Sequence, residues 1–276
     1  MSERIPRRAL LLMATALAVM TAFAVSAASA SAEVVYNNIP ATLPGNFASV
    51  GPEAYSYVEF GGQMELAGMA RNKPTVEVVM SSWGCQYGTW YDETCETPQP
   101  TKKFKWPLTL KIYEVGEHNL VGEQLAEATK TFAMPYRPSD DKTHCTGGRW
   151  YQASTSTCFH GEAFTVKFPT LKVLRLPRRV IIGISYNTSD HGPSPVGQST
   201  ACFVKSAGCY YDSLNIGLAE PSEHLLTTGL APVEPYIEST YGELTCNNAA
   251  LASEFGPSEC NSGWEGDQPL IRITAH

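Results

Sequence analysis

Polarity along the chain alternates with a period of two in many short stretches. Thr75-Val76-Glu77-Val78-Val79-Met80 places Val76, Val78 and Met80 on one face, and Leu108-Thr109-Leu110-Lys111-Ile112-Tyr113 alternates in the same way. Residues 163–168, 180–186, 214–218 and 270–274 are further strands, each alternating or rich in β-branched and aromatic residues. Gly61-Gly62, Arg71-Asn72-Lys73-Pro74 and residues 187–195 punctuate them with turn-forming clusters. Residues 122–131 read as helix or strand in isolation. The turn-like residues 114–119 before them predict a hairpin, with residues 125–133 as the returning strand.

Strands without convincing helices predict an all-β fold: a disulfide-stapled β-sandwich, jelly-roll-like, of about 10–12 strands. No stretch is long enough to be a linker, so residues 33–276 form a single domain. A strand near Val34-Val35-Tyr36 is expected to pair with the C-terminal one. Residues 219–235 mix Pro221, Gly229, Pro232 and Pro235 with Leu225-Leu226, and are expected to form an ordered crossing loop.

The first 32 residues have the composition of an export signal. Arg4, Arg7 and Arg8 precede an apolar run over residues 9–25, and Ala30-Ser31-Ala32 supplies a small-x-small cleavage site before Glu33. Arg7-Arg8 matches the twin-arginine pattern only loosely. The expected location is secreted, on the bacterial exterior. Removing that signal's three Arg and one Glu from the chain's 20 basic and 27 acidic side chains leaves 17 against 26, a formal charge of −9. That balance argues against electrostatic capture of nucleic acid or of an anionic membrane surface, each of which needs a basic face. No later apolar stretch reaches spanning length, so no membrane insertion is expected after signal cleavage.

Eight cysteines in an exported chain imply a disulfide framework. They fall into four close couples, Cys85/Cys95, Cys145/Cys158, Cys202/Cys209 and Cys246/Cys260, separated by long cysteine-free stretches. Nearest-neighbour pairing is the expectation. No Cys-x2-Cys and no His pair at ligand spacing supports zinc.

Two of these couples frame similar loops. Cys85-Gln-Tyr-Gly-Thr-Trp90-Tyr91 and Cys145-Thr-Gly-Gly-Arg-Trp150-Tyr151 both read Cys-x4-Trp-Tyr and reach a second Cys within a few residues. Flat aromatic rings stack on the apolar face of a sugar, and a closed loop holds them at low entropic cost. Trp90, Tyr91, Trp150 and Tyr151 are therefore the candidate platform for a glycan or cell-surface ligand, with Arg149 and Asp92 as hydrogen-bonding partners. Trp90 and Trp150 are expected to be exposed, and Trp83, which follows an alternating run, to be core.

Ser81-Ser82-Trp83-Gly84-Cys85, Phe132-Ala133-Met134-Pro135-Tyr136-Arg137-Pro138 and Tyr211-Asp212-Ser213-Leu214-Asn215 together resemble exported, uncharacterised β-sandwich proteins of bacteria, actinobacteria especially. The resemblance covers most of the chain after the signal. It implies the fold and a bacterial source, and carries no activity or site residue with it.

No cofactor is required by any motif. Calcium is the ion to weigh, through Asp140-Asp141, Asp190 and Asp212, but no D-x-D-x-D-G loop occurs and surface solvation is the ordinary explanation. Neither G-x-S-x-G nor H-E-x-x-H is present, and Ser139-Asp140-Asp141-Lys142 fits S-x-x-K only formally. His118, His144, His160, His191 and His224 lie scattered in turn-like segments and are mostly expected to face solvent, and Asn187-Thr188-Ser189 is a formal glycosylation sequon. The function expected is a secreted non-catalytic binding module. A structural or adhesive envelope protein is the alternative, and a secreted hydrolase the third.

Overall fold

The computed structural model describes residues 31–51, 57–90, 92–186, 214–220, 225–230, 235–239, 256–257 and 267–276. Fifteen strands fall among them. In chain order they are β1 (Glu33–Asn37), β2 (Ser49–Val50), β3 (Tyr57–Glu65), β4 (Thr75–Ser82), β5 (Lys103–Val115), β6 (Val121–Pro135), β7 (Trp150–Gln152) and β8 (Thr157–Phe159). There follow β9 (Glu162–Lys167), β10 (Arg179–Ser185), β11 (Leu214–Ala219), β12 (Pro235–Ser239), β13 (Gly256–Pro257), β14 (Gln268–Pro269) and β15 (Ile271–Ala275). Ten have five residues or more; β2, β7, β8, β13 and β14 are two- or three-residue pairings, too short to show a period of two.

All pairings among the described residues are antiparallel. One large sheet runs β1-β15-β4-β11-β14, with β2 added on β11 and β9 on β4; the second runs β13-β12-β3-β10-β5-β6, and β7 and β8 form a separate two-stranded sheet. Side chains of both sheets share one core, in which Val76, Val78 and Met80 of β4 meet the cluster formed by Leu108, Leu110 and Ile112 of β5 and Val180, Ile182 and Ile184 of β10. Each such side chain stabilises the fold by roughly 1.5–3 kcal/mol when fully buried. The other face of β4 is covered too, by Ile39, Phe47 and Leu270 around Val79. Gly62 lets the sheets meet closely, since a Cβ there would run into Gln268 of the facing sheet.

The terminal strands pair as the sequence predicts, β1 lying along β15 with Glu33 opposite Ala275. The ambiguous residues 122–131 are strand, part of β6, paired along β5 from Lys103 opposite Pro135 to Val115 opposite Val121. The hairpin closes where Gly116 N–H donates to Leu120 O at 2.8 Å, with His118 and Asn119 in left-handed conformation. Of the expected crossing loop, residues 225–230 bridge the sheets. Asn37 N–H donates to Thr228 O at 2.9 Å, and Glu65 N–H to Leu230 O at 2.7 Å.

The connections gather into two poles. Residues 83–102 and 136–161 lie where β4 and β6 end and β9 begins; residues 66–74, 116–120 and 168–178 lie where β3 and β9 end and β10 begins. The eight residues of β4 separate the poles by about 26 Å at a strand's usual rise.

Candidate functional site

The first pole is built by two closed loops. Cys85 is bonded to Cys95 and Cys145 to Cys158, with Cα–Cα separations of 5.4 and 5.9 Å, as the nearest-neighbour expectation has it. Cys202, Cys209, Cys246 and Cys260 lie outside the described residues, as do Tyr91, Asp190, Asp212, His191, His224 and the sequon.

Arg137 joins the loops. Its side chain is wholly buried, and its guanidinium donates to Asp140 Oδ1 at 2.8 Å, Gly148 O at 2.7 Å and Pro138 O at 3.0 Å. Arg137 N–H donates to Gly84 O, while Arg137 O accepts from Thr97 Oγ1 at 2.7 Å. Asp140 completes the join, with Oδ2 accepting from Cys95 N–H and its own N–H donating to Cys95 O, both at 3.0 Å. Gly148 permits close approach of the second loop, for its φ is +63° and a Cβ would strike Trp90 O. The two Cys-x4-Trp-Tyr loops are therefore neighbours at one end of the sandwich.

The aromatic residues sort differently from the expectation. Trp83 is core, 5 % exposed, with Nε1 donating to Ser81 Oγ at 2.9 Å. Trp150, expected to be exposed, is buried. It opens β7, its Nε1–H donates to Gly161 O at 2.7 Å, and its ring packs on Phe159 at 5.5 Å. A buried indole with its N–H satisfied is a structural anchor, so Trp150 leaves the platform. Trp90 is half-buried, edge-on to Trp83 at 4.9 Å and 5.0 Å from His160. Tyr151 is half-buried and stacked on His144 at 4.4 Å. Arg149 donates to Thr146 O and Oγ1 within its own loop, and exposed Asp92 accepts from Thr89 Oγ1 at 2.9 Å.

Between the clamped loop and residues 136–142 runs a groove of about 500 Å³ lined by Glu93, Thr94, Glu96, Ser139, Asp140 and Lys142. Tyr87 does not line it but is paired with Glu96, which does. Tyr87 and Glu96 exchange both backbone hydrogen bonds, at 3.0 and 2.9 Å, which puts their side chains on the same side of the pairing. Tyr87 is 57 % exposed. This residue, not Trp150, is the accessible ring next to hydrogen-bonding groups. The Tyr87–Glu96 pairing depends on the Cys85–Cys95 closure, and no periodicity in the sequence reports it.

Burial governs the charges here. It draws the Arg137 guanidinium down to about 10, against the opposing pull of Asp140. It raises the Asp140 carboxyl despite Arg137, and raises half-buried Glu162 against Arg137 and Lys103. It lowers His160, which stacks on Trp83 at 5.5 Å rather than facing solvent. His160 Nε2 lies 2.7 Å from Gly147 O; a carbonyl only accepts, so that nitrogen carries the proton. Half-buried Asp141 is lowered by its hydrogen bonds from His144 and Thr143. Asp140 and Asp141, weighed above for calcium, thus have their oxygens engaged by Arg137, Cys95, Thr143 and His144. Among the described residues no group of three or more His, Cys, Asp or Glu side chains is placed to hold a metal.

Comparison of the chain with protein-family models, curated proteins and solved structures finds no match.

Proposed function

We propose that the protein is an exported, non-catalytic binding module whose disulfide pole takes a glycan. The observation that carries this reading is the groove of about 500 Å³ beside exposed Tyr87, walled by one covalently closed loop and fastened to a second through Arg137. Sugars offer an apolar ring face and a rim of hydroxyls. Tyr87 suits the first; Glu93, Glu96, Thr94, Ser139 and Lys142 suit the second. Closed loops lose little further freedom on binding, which lowers the entropic cost of recognition. Two disulfides fit an oxidising compartment, and the signal-like residues 1–32 fit export into one.

Pull-down of the oxidised protein with cellulose, chitin, mannan, xylan and peptidoglycan tests the proposal. Retention on at least one polymer is expected, falling about tenfold in Tyr87→Ala/Lys142→Ala, the scale of one stacking contact and one charged hydrogen bond. Retention that ignores both substitutions, or self-association with no retention on any polymer, sinks the glycan reading; the second result favours an adhesive role.

A further inference from the structure

The opposite pole carries a surface that the glycan reading does not use. Residues 66–74 and 168–179 supply six cations, Arg71, Lys73, Lys172, Arg175, Arg178 and Arg179, and no carboxylate. Arg71 is buried between them, its guanidinium donating to four backbone carbonyls: Ala70 at 2.6 Å, Leu66 and Ala67 at 2.9 Å, and Gly68 at 3.1 Å. That arrangement fixes the 66–70 turn while leaving the guanidinium charge without a carboxylate hydrogen-bonded to it. A groove of about 380 Å³ opens beside it, lined by Arg71, Arg175, Arg178, Met69, Leu176 and Pro177 among others. Arg178 is paired with Glu65 at 2.7 Å and remains 76 % exposed; Arg175 makes no ion pair with any described residue. Glu33, which accepts from Ala70 N–H at 3.3 Å, Glu114, in the adjoining cavity, and exposed Glu117, on the hairpin of the same pole, are further carboxylates nearby.

The same two segments hold the two most exposed large apolar side chains among the described residues, Leu174 at 97 % and Met69 at 80 %. Leu120, at the tip of the β5–β6 hairpin on this pole, is 44 % exposed. Protruding apolar side chains flanked by cations suit a deformable apolar phase with an anionic skin better than the fixed surface of a folded partner.

We propose that this pole docks peripherally on an anionic lipid bilayer. Met69 and Leu174 enter the acyl boundary, and Lys172, Arg175 and Arg178 meet head-group phosphates. The chain's overall negative charge does not forbid this, because interactions are screened beyond about 8 Å at physiological salt and the other pole lies about 26 Å away. Proximity to a bilayer would hold the disulfide pole facing outward, although the docking stands without the glycan reading.

Vesicle co-sedimentation tests it directly, using phosphatidylcholine alone and with about 30 mol % phosphatidylglycerol. Wild type is expected on the anionic vesicles only, with binding falling as salt rises from about 50 to about 300 mM. Lys172→Glu/Arg175→Glu should weaken it about twenty-fold or more, at about five-fold per cation lost. Met69→Ser/Leu174→Ser should weaken it about tenfold. None of the four side chains belongs to a core cluster, all four being exposed, and circular dichroism of each variant confirms that it folds. Absence of vesicle binding overturns the proposal, as does equal binding to neutral vesicles or binding unmoved by either double variant. Salt-sensitive capture of soluble poly-glutamate without vesicle binding also overturns it, and assigns the face to an acidic protein.

Discussion

Arg137 and Arg71 sit at opposite ends of the sandwich, both buried, both donating to backbone carbonyls. Arg137 also finds a carboxylate, Asp140, and the loops it joins are each shut by a disulfide. Among the described residues Arg71 donates to carbonyls alone, and its turn is held by main-chain bonds such as Leu176 N–H to Arg71 O at 2.9 Å and Arg71 N–H to His276 O at 3.1 Å. A closed, neutralised hub makes a rigid groove with polar walls. An open one leaves cations and apolar tips in water. The contrast teaches that the same residue type serves shape at one pole and potential at the other, according to whether a carboxylate is hydrogen-bonded to the guanidinium.

Substitutions that strike one pole and spare the other break the contrast most sharply. Arg137→Met should have the largest effect, about 3–5 kcal/mol in chemical denaturation, because it strands Asp140 as a buried charge. Replacing Cys85 and Cys95 together by Ser should cost about 2–3 kcal/mol from the released chain entropy, with the change read as a lower midpoint. Arg71→Met should cost less, about 1–2 kcal/mol, since its freed carbonyls lie beside an open groove that water enters.

The smallest effect is a pH dependence at the disulfide pole. Burial lowers His160, so between its folded value and the ordinary histidine value of about 6.5 the unfolded chain binds more protons. Stability from this group is present above about pH 6.5 and is lost as pH falls through that window. Asp140 and Glu162, both raised, act in the opposite sense at lower pH, near the ordinary carboxylate range. Melting curves at pH 7 and pH 5.5 should therefore show a loss in wild type that is reduced in His160→Phe, while Arg71→Met keeps the wild-type loss.

Much of this architecture is legible in the residues themselves. Val76, Val78 and Met80 alternate because one face of β4 meets the core, and β1 pairs with β15 as the two alternating ends suggest. Local cysteine spacing identifies both described disulfides. What stays hidden is decided by distant contacts. Cys-x4-Trp-Tyr looks the same twice, yet Trp150 opens a strand whose inward side faces Gly161 and Phe159, whereas Trp90 lies in a loop, half-buried against Trp83 and His160. No local pattern marks Arg137 as buried, because its acceptors come from Asp140 and Gly148 once the second loop folds back. The net charge conceals the cationic pole as well. Its six basic residues sit in two segments about a hundred positions apart, and only the fold puts them side by side.

Affinity electrophoresis of oxidised protein through gels containing the polysaccharide that retains it compares the two poles in one experiment. Tyr87→Ala is expected to abolish most of the retardation, and Lys172→Glu/Arg175→Glu to leave it unchanged. Retardation that survives the loss of Tyr87, or that disappears with the two cations of the far pole, would contradict a glycan face built from the clamped loops.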